Sequence, residues 1–124
     1  PAGEWLTVDQ PVELDAAQEA VRTTRKPLLL DCYADWCVSC KVIEREVLDA
    51  PQIRAQLAGY QLVRFDITRS DAAQRALLDR YQLFGPPALQ LFAPTGEEWT
   101  DLRVVGETSA AQFGQRLNEA AGRL

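Results

Sequence analysis

Leu28 to Tyr33 is the segment that most narrows what this chain can become, because it is apolar on both faces apart from Asp31. A strand of that kind belongs in the middle of a parallel sheet covered by helices on both sides; a one-sided sheet alternates apolar with polar residues. The flanking segments fit such a sheet. Asp15-Ala16-Ala17-Gln18 reads as a capping box opening a helix to about Thr24, which Pro27 stops. Beyond the strand, a helical pattern from Cys37 to about Ala50 carries Val38, Ile43 and Val47 among charges, and Pro51 marks its end or a break before Ile53 to Leu57, with Gly59 closing that element. Tyr60 to Ile67 reads as a second buried strand, and Ser70-Asp71 caps a helix through Ala73, Leu77, Leu78 and Tyr81. Leu83 to Pro87 must be a loop. Ala88 to Phe92 then forms a strand, Pro94-Thr95-Gly96 a turn and Leu102 to Val105 another strand, before a last amphipathic helix from Ser109 to about Ala121 with Ser109 and Gln112 as its capping box. With Glu4 to Val8 as a short first strand, the order is β-α-β-α-β-α-β-β-α, an α/β domain with a mixed sheet and helices on both faces.

Length and composition restrict the function. At 124 residues and 47% hydrophobic, the chain suits one compact core and is too short for two ordinary domains. Its charge is −5, from 13 Lys plus Arg against 18 Asp plus Glu, with no basic block to neutralise phosphates, so nucleic acid is not an expected partner. Histidine is absent, which removes Ser-His and Cys-His nucleophile pairs and the usual His-containing zinc sites. Chemistry must rest on Cys, carboxylates or Lys. The aliphatic run Leu28-Leu29-Leu30 falls far short of the roughly 20 apolar residues that span a bilayer, and no signal segment opens the chain. A start at Pro1 with no methionine suggests a mature fragment or an excised domain whose anchor lies elsewhere.

Three cysteines permit at most one intrachain disulfide and leave one thiol over, which suits a reversible redox pair better than a disulfide framework. Cys37-Val38-Ser39-Cys40 stands between the buried strand and the helical pattern. Two intervening residues bring the sulfurs within disulfide reach, and the helix start aims free N–H groups and a positive dipole end at the first sulfur, favouring the thiolate. A zinc half-site is the bland alternative, disfavoured by the lack of histidine and of a second Cys-x-x-Cys. Cys32, Cys37 and Cys40 also match the opening of a plant-type iron–sulfur spacing, which needs a fourth ligand that the sequence lacks. Cys32 lies inside the predicted strand and reads as a small buried apolar residue. No metal or small-molecule cofactor is expected.

The stretch Asp31-Cys32-Tyr33-Ala34-Asp35-Trp36-Cys37-Val38-Ser39-Cys40-Lys41 resembles the active-site segment of thioredoxin-like proteins, and Gly85-x-Pro87 before a strand resembles the place where thioredoxins carry a cis-proline. The Tyr-Ala-Asp-Trp-Cys-Val-x-Cys-Lys form together with Glu44 is similar to the C-terminal periplasmic domain of the DsbD family of bacterial thiol:disulfide interchange proteins. That resemblance implies a thioredoxin fold and a protein-disulfide reductase in which Cys37 attacks as the accessible nucleophile and Cys40, buried, resolves the mixed disulfide. It further implies a periplasmic domain of an inner-membrane protein. Electrons would pass from a membrane-embedded domain of the same polypeptide to its N-terminal periplasmic domain, supporting disulfide isomerisation and cytochrome c maturation. The isolated domain is expected to be a monomer. A free-standing thioredoxin is the nearest alternative; a redox-inactive or metal-binding thioredoxin-fold module is the one from another class.

Two acids fit this reading as tuning residues. Asp31 is the only charge in its strand and lies six residues before Cys37, matching the buried acid of thioredoxins, so burial should raise its pKa; a strand-end turn cap is the plain alternative. Glu44 follows Cys40 by four residues, placing it on the cysteine face of a helix, where it is otherwise a solvated charge. Together they should hold the Cys37 thiol above the ordinary thioredoxin range. Trp36 is assigned to partner docking, although packing on its own loop would also account for it, and Lys41 reads as an exposed helix charge. Trp5 and Trp99 read as packing or surface residues. Pro86 departs from the family pattern, in which the residue before the cis-proline Pro87 offers both N–H and C=O to an extended partner.

Overall fold

The computed structural model describes residues 4–124, so Pro1 lies outside it. Five strands, β1 (Trp5–Val8), β2 (Leu28–Tyr33), β3 (Gln61–Asp66), β4 (Ala88–Phe92) and β5 (Val104–Val105), form one sheet of order β1-β3-β2-β4-β5. β1, β3 and β2 run parallel, whereas β4 is antiparallel to β2 and to β5. Every residue of β2 is buried, as its two-sided apolar pattern requires. The helices are α1 (Pro11–Thr24), α2 (Val38–Ile43), α3 (Pro51–Gln56), α4 (Ala72–Arg80) and α5 (Ala110–Ala121).

Strand alternation divides the core into two layers. Leu28, Leu30 and Cys32 of β2 face α1 and α4 and join a cluster with Leu14, Val21 and Leu77. Leu29 faces the other way, with Ile43, Val47, Ile53, Phe113 and Leu117. Each such buried aliphatic or aromatic side chain contributes about 1.5–3 kcal/mol, so both layers are needed to hold β2 in place. The mixed thioredoxin-type sheet with helices on both faces is the architecture the sequence predicts.

Three local expectations need correction. α1 begins at Pro11, not at Asp15, because the Glu13 carboxylate accepts the N–H groups of Asp9 (3.1 Å) and Gln10 (3.0 Å), and Pro11 needs no partner at a first helical position. Asp15 points outward instead and pairs with Arg80 at 2.9 Å. The helix after the cysteines is not uniform: α2 passes at Glu44–Leu48 into a π-helical turn, whose wider winding ends with the Asp49 N–H on the Glu44 carbonyl at 2.9 Å. The strand predicted from Leu102 shrinks to Val104–Val105. Leu102 instead belongs to a 3₁₀ turn (Thr100–Leu102), drawn closed by its N–H to the Trp99 carbonyl (2.9 Å) and by the ion pair of Glu98 with Arg103. Among the described residues no helix is long and apolar enough to cross a membrane.

Candidate active site

The C-terminal end of β2 delivers the chain to the redox pair. Cys37 is held by its N–H on the Ala34 carbonyl (3.0 Å) and adopts an extended backbone as the N-cap of α2. Its sulfur accepts the Cys40 N–H at 3.1 Å, the job a Ser or Asp does at other helix starts. Cys37 and Cys40 form a disulfide with their Cα atoms 5.3 Å apart. The expected contrast between an accessible Cys37 and a buried Cys40 is not seen in this disulfide form: they are 5% and 4% exposed, because both sulfurs pack into the cluster that holds Ala34 and Ala88. What distinguishes them is position. Cys37 stands at the helix start, while the Cys40 sulfur is turned inward, 3.9 Å from the Cys32 carbonyl oxygen.

Cys32 is free and buried, and burial, then the charge of Asp31, pushes its thiol up to about 12. Such a thiol supplies no thiolate near neutral pH. No group of three or more His, Cys, Asp or Glu side chains suited to a metal ion occurs among the described residues.

Asp31 is buried on the sheet face opposite Cys32, and burial pushes its pKa up to about 6 against the pull of Arg64 and with a smaller push from Glu44. Arg64 is the residue the sequence reading missed. It stands across from Asp31 in the parallel β2–β3 register, its Nε 3.3 Å from Asp31 Oδ2 and its Nη2 2.6 Å from Glu44 Oε1. One guanidinium therefore serves both acids. It lies over the Tyr33 ring at 4.1 Å and the Trp5 ring at 5.8 Å, which gives Trp5 a role in the site. Glu44 is not a free helix charge, although its side chain keeps 42% exposure. Lys41, exposed as expected, donates to the Tyr33 hydroxyl at 3.0 Å, and that hydroxyl donates to Asp35 at 3.0 Å.

Around the disulfide the surface is apolar. Trp36 is 57% exposed and fixed by its indole N–H to the Thr68 carbonyl at 3.0 Å, and Val38 and Phe84 project beside the loop regions. Phe84, Pro86, Pro87, Val105 and Gly106 line an open groove of about 450 Å³. The Pro86–Pro87 bond is cis, as the resemblance to thioredoxins implies, and the Pro87 carbonyl accepts the Gly106 N–H at 3.0 Å. Ser39, inside the Cys-x-x-Cys loop, donates to Glu107 at 2.8 Å and ties the redox turn to the approach of α5. Trp99, outside this region, packs against the α5 layer. The disulfide at a helix start is chemically suited to thiol–disulfide exchange, and the same domain carries the Asp31–Arg64–Glu44 charge cluster and the apolar groove of the cis-proline loop.

A family model described as thioredoxin-like matches residues 5–94. Thiol:disulfide interchange protein DsbD 1 of Pseudomonas aeruginosa is 60% identical over 98% of this chain, and DsbD 2 of the same organism is 47% identical over 88% of it. The chain spans about a fifth of the length of these curated relatives, 20% of the first and 19% of the second. Among solved structures, the C-terminal domain of Neisseria meningitidis DsbD in its oxidised form superposes with a TM-score of 0.79 at 27% identity, covering 91% of this chain and 97% of that one. A thioredoxin from Thermus thermophilus, at 19% identity, shares the fold with a TM-score of 0.74 over 98% of this chain and 88% of its own.

Proposed function

Since the chain belongs to the thioredoxin-like family, we propose that it is the electron-relaying domain of a DsbD-type thiol:disulfide interchange protein, with Cys37 and Cys40 as its redox centre. The observation that carries this reading is the Cys37–Cys40 disulfide at the start of α2 in a chain 60% identical to DsbD 1 along almost its whole length.

In the reducing direction the Cys37 thiolate attacks a partner disulfide: the partner S–S bond breaks, a Cys37–partner bond forms, and the leaving partner sulfur takes up a proton. Cys40, having given up its proton, attacks the Cys37 sulfur, releases the second partner thiol and leaves the intramolecular disulfide of this structure. Two electrons have then passed to the partner. The Cys40 N–H at 3.1 Å and the start of α2 favour negative charge on Cys37 in the first step. Pro86 and Pro87 line the groove where the partner would dock, exposed Trp36 adds a second docking element, and Asp31 and Glu44, joined by Arg64, are assigned to tuning the thiols. On this reading the donor is a membrane-embedded domain and the acceptor an N-terminal periplasmic domain of the same polypeptide, and the chain is a periplasmic domain of a bacterial inner-membrane protein that supports disulfide isomerisation and cytochrome c maturation.

The test is stopped-flow mixing of the reduced domain with the oxidised N-terminal domain of the Pseudomonas aeruginosa relative, followed by thiol counting. Transfer of two electrons to that domain supports the relay. Exchange with small disulfides but none with that domain would leave a generic thioredoxin-like reductant in its place.

A further inference from the structure

The Cys-x-x-Cys chemistry asks for a helix start and two sulfurs, and docking asks for an apolar groove; neither asks for a guanidinium in the layer between β2 and α2. We propose that Arg64 is a positioning residue for exchange at Cys37–Cys40: it clamps the Asp31 carboxylate of β2 to the Glu44 carboxylate at the end of α2, and so fixes both the seating of the redox helix and the charge behind it. The inference rests on the exchange function proposed above.

Each end of the clamp is one link from Cys40. Asp31 adjoins Cys32, whose carbonyl oxygen lies 3.9 Å from the Cys40 sulfur, and the Glu44 N–H bonds to the Cys40 carbonyl within the helix. The two contacts, 3.3 Å to Asp31 and 2.6 Å to Glu44, leave from different nitrogens of one planar fork, which a lysine ammonium cannot reproduce. Arg64 is pre-organised for this by stacking on Tyr33 and Trp5 and by its register opposite Asp31, and its side chain is 17% exposed.

Charge makes the clamp more than a brace. Asp31 faces Arg64 from β3 and Glu44 from the π-helical turn that follows α2, and Tyr33, itself bound to Lys41 and Asp35, covers the guanidinium. With both carboxylates ionised, the cluster carries one net negative charge in the presence of Arg64 and two in its absence. Burial already pushes Asp31 up to about 6 with Arg64 in place, so removing the cation drives it further, and at the alkaline pH where both Asp31 and the thiol ionise, the Cys37 thiolate forms against a larger negative field.

Two readouts on the reduced protein separate this from a purely structural role: the pH midpoint of Cys37 alkylation by iodoacetamide, and the Asp31 carboxyl titration followed by carbon NMR. In Arg64→Gln both midpoints should move to higher pH, the thiol by about one unit, which slows alkylation about tenfold at pH values above the Asp31 midpoint and below that of the thiol. Arg64→Lys, which keeps the charge and loses the fork, should fall between Arg64→Gln and wild type. A folded Arg64→Gln with unchanged midpoints, including one with only a lower melting temperature, overturns the proposal. If Arg64→Gln does not fold, Arg64→Lys decides on the same two midpoints. A wild-type domain inactive in the partner-exchange assay sinks the functional reading and this one with it, whereas an active wild type beside an Arg64→Gln with wild-type midpoints sinks the clamp alone.

Discussion

Two arginine–carboxylate sites lie on opposite faces of the same sheet, and they are built differently. On the α1–α4 side, Arg103 meets Glu98 with both oxygens engaged, Nε to Oε2 at 2.8 Å and Nη2 to Oε1 at 2.7 Å, while its remaining nitrogen donates to the Tyr81 carbonyl at 2.7 Å. Gln90 of β4 adds a donor to Glu98 at 3.2 Å. One cation answers one anion and the partners are saturated. On the α2 side, Arg64 divides itself between Asp31 and Glu44 with one contact each, and Asp31 stays pushed up to about 6. A saturated one-to-one pair fixes structure and responds little to its surroundings; an under-neutralised cluster keeps a carboxyl whose protonation responds to nearby charge. The same residue types thus give a brace at one site and, on the role proposed for Arg64, a tuning element at the other.

The contrast is broken most decisively by locating the chemistry elsewhere. Cys37→Ser should abolish exchange, and Cys40→Ser should accumulate a mixed disulfide through Cys37, visible by non-reducing electrophoresis and mass spectrometry; equal trapping by Cys37→Ser would reverse the two roles. At the brace, Arg103→Leu leaves the buried Glu98 carboxylate without its cation and with only the Gln90 donor, and should cost about 3–5 kcal/mol in urea unfolding, with the exchange rate per folded molecule unchanged. A slowed exchange there would erase the distinction between the sites.

Stability against pH sharpens it. Asp31 has a folded pKa of about 6, raised above its ordinary 3.8, so the native state binds its proton more tightly than the unfolded chain does. The resulting stabilisation is complete below the unfolded value and is lost as pH rises through about 6, a difference of about 3 kcal/mol across that window. Asp31→Asn should flatten this slope in denaturant titrations run from acid to neutral pH, and an unchanged slope would place the titration on another group. The double variant Asp31→Asn with Glu44→Gln leaves Arg64 as the net charge and should move the Cys37 alkylation midpoint to lower pH by about one unit; no movement would mean that the acids do not tune the thiol.

The smallest expected effect belongs to the uncharged groove. Pro86 has no N–H to offer an extended segment, so Pro86→Thr should strengthen capture of an unfolded disulfide peptide by about 0.5–1.5 kcal/mol while leaving exchange with a folded partner domain nearly unchanged. An equal change for both partners, or none, would remove Pro86 from partner selection.

The parts of the site that were legible in the sequence are those written in short-range pattern. Spacing pairs Cys37 with Cys40, the two-sided apolar run fixes β2 as central, and Asp31 betrays itself as the one charge inside that run. Ser70-Asp71 announces α4, and Asp71 does cap it, accepting the Gln74 N–H on Oδ1 at 2.8 Å. The start of α1 was misplaced because Gln10 is a weak N-cap signal and the true closure comes from Glu13. The π-helical turn after α2 has no periodic signature that differs over five residues from an ordinary helix.

By itself, then, the sequence determined the central strand, the redox pair and the acid at the heart of the sheet, because each depends on residues close together in the chain; the cis-proline came through the resemblance to thioredoxins. Only the tertiary structure decided that Arg64 answers Asp31 and Glu44. In the sequence Arg64 is a single charge among Leu62, Val63 and Phe65, with nothing to say which face it takes or what it meets. Its partners lie 33 and 20 positions away, and they meet only because β2 and β3 pair in parallel with Asp31 opposite Arg64 while α2 folds Glu44 down beside them. A register shift of one residue would turn that guanidinium to the opposite face, so its role belongs to the pairing of the strands and not to the residue alone.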